Sequence, residues 1–224
     1  MINRILRKFN FLILKASIGS YKSLKKSKFY DSLNAELLKR TKEELKSFYN
    51  FYVTEISRAD MAISLELATV LFAICKTTNP KRILDLGSGF SSFVLRRFAE
   101  TSPSVKVVSV DDDVQWLEKT KDYLSNKVKN TSNILSLSNF IESAEFNFDI
   151  ILLDLNFVEV RKNYIALAVE RCSQGGLIIF DDAHKPDFML EILEQTKGLP
   201  IRLFNISHLT RDQFGRYALL GIKK

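Results

Sequence analysis

The residues of this 224-residue chain that could do chemistry are mostly carboxylates standing where short apolar runs end. Ile83-Leu84-Asp85-Leu86-Gly87-Ser88-Gly89 reads as a strand and a tight turn, and Phe90-Ser91-Ser92 opens a helix. Glycines in such a turn let the backbone bend sharply and let a ligand approach with no Cβ in the way. The helix start adds unpaired N–H groups. The next apolar run ends in Val110-Asp111-Asp112, with Asp111 22 residues beyond Gly89. In a parallel sheet that spacing puts a carboxylate beside the turn, where it can accept hydrogen bonds from both hydroxyls of a ribose. Two more runs end in acid: Ile151-Leu152-Leu153-Asp154 and Ile179-Phe180-Asp181-Asp182-Ala183-His184. Such oxygens suit a hard divalent cation, which would lower the pKa of a bound hydroxyl. His184 titrates near neutrality and is a candidate general base; its other reading is a loop histidine in solvent.

These groups can act together only if one scaffold brings the strand ends to one rim. Residues 82–86, 105–110, 134–138, 148–153, 177–180, 202–207 and 216–222 read as strands. Residues 91–100, 114–127, 164–171 and 186–195 read as the helices between them, with two more helices upstream at 31–52 and 60–76. Strands alternating with helices predict an α/β, doubly wound, mostly parallel sheet. Fully apolar runs such as Ile150–Leu153 predict burial on both faces. Only residues 209–215 link the last two strands, which is short enough for an antiparallel hairpin. The chain divides into a basic extension (1–30), a helical cap (31–78) and a core (79–224).

A dinucleotide site would want a third glycine where Ser92 stands, and it has no use for Asp85 just before the first. In these residues the chain resembles the class I S-adenosylmethionine-dependent methyltransferases. Their [DE]-x-G-x-G motif matches Asp85-Leu86-Gly87-Ser88-Gly89, and their acid after the second strand matches Asp111. Ser91 departs from a small glycine that many members carry there. By order of elements the resemblance covers residues 60–224. It implies a seven-stranded Rossmann-like sheet with an antiparallel C-terminal edge hairpin and N-terminal helices. It implies S-adenosylmethionine held by Asp85, Gly87, Gly89, Ser91, Asp111 and Asp112, with Ile63 folding over it and Ser138 near the adenine. The pattern is similar to that of the metal-dependent, catechol-type O-methyltransferases. That implies Mg2+ on Asp154, Asp181 and Asp182, with Asp154 and His184 facing the reacting group. Two departures stand out: Asp181-Asp182 replaces the usual Asp-Asn, and Leu155-Asn156-Phe157 lacks the lysine base often found there. The other reading of Asp181-Asp182 is a cap that orients its loop.

The formal net charge is +7, but residues 1–30 hold eight Lys/Arg and no acid, leaving 25 bases against 26 acids elsewhere. The chain is therefore a neutral body with a basic tail. Ile2, Ile5, Leu6, Phe9 and Ile13 share one helical face in that tail. It can pack on its own domain, lie through residues 1–28 on an anionic membrane surface, or grip RNA. With no apolar run near the 18 or so residues of a membrane span, and no convincing signal peptide, the expected location is cytoplasmic, peripheral at the inner membrane surface. Cys75 and Cys172 read as small core residues of a reduced protein. No Asn/Asp-Pro-Pro-Tyr/Phe follows Leu153 and no cysteine is placed to attack a pyrimidine, so the expected acceptor is a small hydroxylated metabolite or sugar. An RNA methyltransferase and a non-catalytic binding protein on the same fold are the other readings. An acidic rim would repel a polyanion unless a cation sat in it.

Overall fold

Successive side chains on a strand point to opposite faces, so the apolar run Ile150–Leu153 demands a core on each side of its sheet. The computed structural model, which describes residues 15, 16, 18–20, 24, 33–143 and 145–224, has both. Ile150 and Leu152 join one buried apolar cluster, while Ile151 and Leu153 join a second. Leu177 and Ile179 sort the same way against Ile178 and Phe180.

The described strands are β1 (Arg82–Leu86), β2 (Lys106–Asp111), β3 (Ile134–Ser136), β4 (Phe148–Leu153), β5 (Cys172–Phe180), β6 (Ile201–Asn205) and β7 (Leu219–Lys223). They form one sheet of order β3-β2-β1-β4-β5-β7-β6. β7 runs antiparallel between β5 and β6, and the pairings among β1 to β5 are parallel. This is the mostly parallel, doubly wound architecture with an antiparallel edge that the sequence predicts. The chain leaves β1 for β2 on one side and reaches β4 on the other. The gap between the carboxyl ends of β1 and β4 is thus a topological switch point, where ligands of such sheets bind.

The described helices are α1 (Ala35–Phe51), α2 (Leu65–Thr78), α3 (Phe90–Thr101), α4 (Val114–Ser125), α5 (Leu137–Glu142), α6 (Val158–Lys162), α7 (Ile165–Arg171), α8 (Pro186–Gln195) and α9 (Ser207–Thr210). α1 runs into a π-helical turn, Tyr52–Ile56, a local form often found at functional sites. α2 starts at residue 65, five residues later than expected, because the Ser64 hydroxyl accepts from the Leu67 N–H and caps it. β3 stops at residue 136 for the same reason: Ser136 caps α5, so Ser138 lies in a helix and not on a strand. The connection before β7 holds the short α9. Leu45 and Tyr52 from the cap share one core with Ile83, Phe90 and Phe93, so cap and sheet are packed as one body. Cys75 and Cys172 are buried free thiols.

The expected amphipathic face of residues 2–13 lies outside the described residues. Within the basic extension, Gly19 bridges the free edge of β6. Its N–H donates to the Leu203 carbonyl (2.8 Å) and its carbonyl accepts from Asn205 (3.1 Å). Leu24 is fully buried. Among the described residues no helix is long and apolar enough to cross a membrane.

Candidate active site

The glycine turn is shaped by what crowds it. Gly87 has φ +115°, and a Cβ there would lie 2.2 Å from the Asp154 carbonyl oxygen. The ends of β1 and β4 approach that closely because the Asp154 N–H donates to the Leu86 carbonyl at 2.6 Å. Gly89 has φ +152°, with the Tyr52 hydroxyl 3.0 Å from where its Cβ would be. Behind the turn, Asp85 is fully buried. Its Oδ2 accepts from Ser92 (2.6 Å) and Ser109 (3.0 Å). Arg96 donates to Ser109 (2.6 Å) and sets a buried cation near the carboxylate. Burial still dominates and pushes the Asp85 carboxyl up to about 6, and its Oδ1 has no hydrogen-bond partner.

In front of the turn, at the carboxyl ends of β1, β2 and β4, lies a cavity of about 530 Å³. Gly87, Ser88, Gly89 and Ser91 form its floor, and Asp111 stands beside them. Asp111 Oδ2 accepts from the Ser88 N–H and hydroxyl (both 2.7 Å), and Oδ1 accepts from the Asp113 N–H (3.0 Å). Burial raises its carboxyl above the ordinary range, with those hydrogen bonds working against the rise. Asp113 caps α4, which aims the Trp116 indole N–H at the Ser88 carbonyl (2.8 Å). Tyr52, Ile56 and Arg58 from the π turn and the loop after it also line the cavity, with Met61 and Ile63. Asp154, beside Gly87, lines it together with Asn156 and Arg161.

The structure thus brings Gly87, Gly89, Ser91, Asp111, Ile63 and Asp154 to one cavity. Asp85 lies behind it and acts on the turn through Ser92 and Ser109. Asp112 is off the wall, with a buried Oδ1 that lacks a partner. Ser138 is exposed on α5, and its hydroxyl lies 3.0 Å from that of Ser136. His184 is also off the wall. Its Nδ1 is 3.5 Å from Asp182 Oδ1, and its pKa is lowered by burial, which outweighs the pull of Asp182. Tyr52, Arg58 and Arg161 are among the wall residues that carried no expectation.

Arg161 occupies the carboxylates on which the metal expectation rests. Its side chain is 8% exposed, and its guanidinium lies 2.7 Å from Asp154 Oδ1 and 3.1 Å from Asp182 Oδ2. Lys185 reaches Asp182 Oδ2 at 2.7 Å, and Asp181 Oδ1 accepts from the Asp182 N–H at 2.7 Å. Burial raises the Asp154 carboxyl well above the ordinary range, against Arg161. The Asp182 carboxyl stays low: burial opposes its charge, but Arg161 and Lys185 outweigh it. A divalent ion about 4 Å from the guanidinium would meet about 8 kcal/mol of repulsion at an effective dielectric of 20, which offsets part of its attraction to the carboxylates. The trio is therefore not a free ligand set for Mg2+. Among the described residues no group of three or more His, Cys, Asp or Glu is arranged to hold a metal ion.

No protein-family model matches the sequence, and no curated protein matches it. The fold matches many solved structures. One is the O-methyltransferase TomG from Streptomyces achromogenes, involved in tomaymycin synthesis and solved with S-adenosylmethionine. It is 16% identical, with a TM-score of 0.59, over 85% of this chain and 91% of that one. Another is an O-methyltransferase from Bacillus cereus in complex with S-adenosylhomocysteine: 15% identity, TM-score 0.60, 87% and 94% covered. A third is the Podospora anserina methyltransferase PaMTH1 bound to S-adenosylhomocysteine: 13% identity, TM-score 0.57, 85% and 89% covered. The chain has the fold of class I S-adenosylmethionine-dependent methyltransferases.

Proposed function

We propose that this protein is an S-adenosylmethionine-dependent methyltransferase acting on the hydroxyl of a small molecule. One observation carries the reading: a cavity whose floor is kept free of Cβ atoms at Gly87 and Gly89 and whose side bears the Asp111 carboxylate. These residues fit a nucleoside with a bulky, charged substituent. Gly87, Gly89 and Ser91 would hold it from below, Asp111 at its ribose and Ile63 above. Asp111 already accepts three hydrogen bonds of the roughly four a carboxylate can take. The Ser88 hydroxyl can turn to Thr120 Oγ1, 3.2 Å away, and so free a position for a ligand's hydroxyl. S-adenosylmethionine, when bound, supplies a methyl group on a positively charged sulfur and leaves as S-adenosylhomocysteine.

The chain's own contribution is alignment, which lowers the barrier by fixing nucleophile and electrophile in line. Asp154 lines the cavity and borders the glycine turn. Asp154 would take the proton released by the acceptor's hydroxyl and pass it to solvent. Tyr52, Ile56 and Met61 exclude water from one side. The fold neighbours solved with S-adenosylmethionine or S-adenosylhomocysteine support the cofactor, and the O-methyltransferases among them support oxygen as nucleophile.

Calorimetry with S-adenosylmethionine is the test. The wild type should bind. Asp111→Ala removes two hydrogen bonds to a charged acceptor, about 3 kcal/mol, and should weaken binding about 100-fold. No binding by the wild type, or equal binding by the variant, sinks the reading.

A further inference from the structure

The carboxylates at the ends of β4 and β5 already hold a cation that is part of the chain. Arg161 donates hydrogen bonds to Asp182 and to the carbonyls of Leu155 and Asn156, and its guanidinium is ion-paired with Asp154 at 2.7 Å. A guanidinium has five N–H groups, so these three hydrogen bonds leave N–H capacity for a ligand. Arg161 also lines the cavity beside Asp154 and Asn156. It reaches this place because α6 begins only a few residues after β4, and its backbone and side-chain bonds fix it there.

We propose that Arg161 is the resident cation of the acceptor site, standing where a divalent ion would otherwise be required and offering one N–H to one acceptor oxygen. The inference rests on the methyltransferase reading of the cavity. A bound divalent ion presents two neighbouring open positions and can grip two adjacent oxygens at once. Arg161 grips one. The acceptor class that follows is a molecule presenting a single hydroxyl to this end of the cavity, with no need for a second beside it. Because arginine stays charged at any working pH, the site is loaded without a metal supply.

The test is a titration of the full-length protein with Mn2+, read from the electron spin resonance signal of the free ion, with thermal unfolding followed in parallel. The wild type should leave nearly all Mn2+ free up to about 1 mM, at the weak end for oxygen-ligand sites, and its unfolding temperature should not move. Arg161→Met frees Asp154, Asp181 and Asp182 to move onto an ion, an arrangement they do not have around the guanidinium. It should bind one Mn2+ per chain at least about tenfold more tightly than the wild type and gain thermal stability from the ion. The inference is overturned by a wild type that binds one Mn2+ per chain below about 0.1 mM, or by a folded Arg161→Met that gains no Mn2+ site. If Arg161→Met does not fold, the wild-type titration alone decides. Calorimetry with S-adenosylmethionine on the same sample separates the two readings. Cofactor binding together with tight Mn2+ binding removes the arginine inference alone. Absent cofactor binding removes the methyltransferase reading whatever the Mn2+ result.

Discussion

Asp85→Asn probes the buried machinery behind the glycine turn. Burial pushes the Asp85 carboxyl up to about 6, and the hydrogen bonds from Ser92 and Ser109 and the charge of Arg96 only moderate the rise. Moving a carboxyl from 3.8 to about 6 corresponds to about 3 kcal/mol at 1.36 kcal/mol per pH unit. The sign follows from which state holds more protons. Between about pH 4 and 6 the folded chain keeps a proton on Asp85 that the unfolded chain has released. The stability from this group is therefore full below about pH 4 and is lost as the pH rises through about 6. Asparagine does not titrate. Its carbonyl can keep the two serine donors at the Oδ2 position, while its amide falls where Oδ1 has no partner, at about 1–2 kcal/mol. The variant should thus be less stable than the wild type near pH 4 and more stable near pH 7, by about 1–2 kcal/mol each way. The assay is denaturant unfolding of both proteins at stepped pH, taking the difference at each step. The difference is the informative quantity, because Asp154 and Asp181 are also raised by burial and titrate in both proteins. A difference that stays flat with pH refutes the reasoning.

Gly87→Ala sets a Cβ against backbone atoms of Asp154 at φ +115° and should cost about 4 kcal/mol or more in unfolding free energy, whereas Gly215→Ala, at φ +78° with nothing within 4 Å, should cost about 1 kcal/mol. Thermal unfolding of the pair separates crowding from backbone strain. Trp116→Phe loses the 2.8 Å bond to the Ser88 carbonyl and should weaken S-adenosylmethionine binding about fivefold in calorimetry, at about 1 kcal/mol.

The parts of the fold legible in the sequence are those where local pattern and tertiary role agree. β1 and β4 have the bounds their apolar runs predict, and Pro186 at the first turn marks the start of α8. The reading fails where a side chain overrides the pattern. Ser64 and Ser136 each cap a helix, and each moves a boundary that hydropathy alone sets elsewhere. The cofactor side of the site is legible because it rests on a contiguous turn and on one acid at a strand end. The acceptor side is not. Arg161 sits on a five-residue helix too short for periodicity to show, and Tyr52 reaches the glycine turn from the cap, 37 residues before Gly89 in the chain. A single basic residue seven positions after Asp154 is the only linear signal for Arg161, and most such residues face solvent.

That missed residue changes what the charges mean. Read in sequence, Asp154, Asp181 and Asp182 make an acidic rim that would turn away an anionic acceptor. In the fold, Arg161 and Lys185 oppose them, and Arg216 lies close enough to help draw down the Asp181 carboxyl. Burial pushes that carboxyl up to about 6, so near pH 6 the trio with its two direct cations carries less than one net negative charge. Breaking such a buried pair costs about 3–5 kcal/mol, so the cation is not free to leave when a ligand enters. What an acceptor meets at the cavity wall is then Asp154 backed by a fixed positive group, with Arg58 and Lys119 also on the wall. Selection against anions falls to shape and to Asp154 alone.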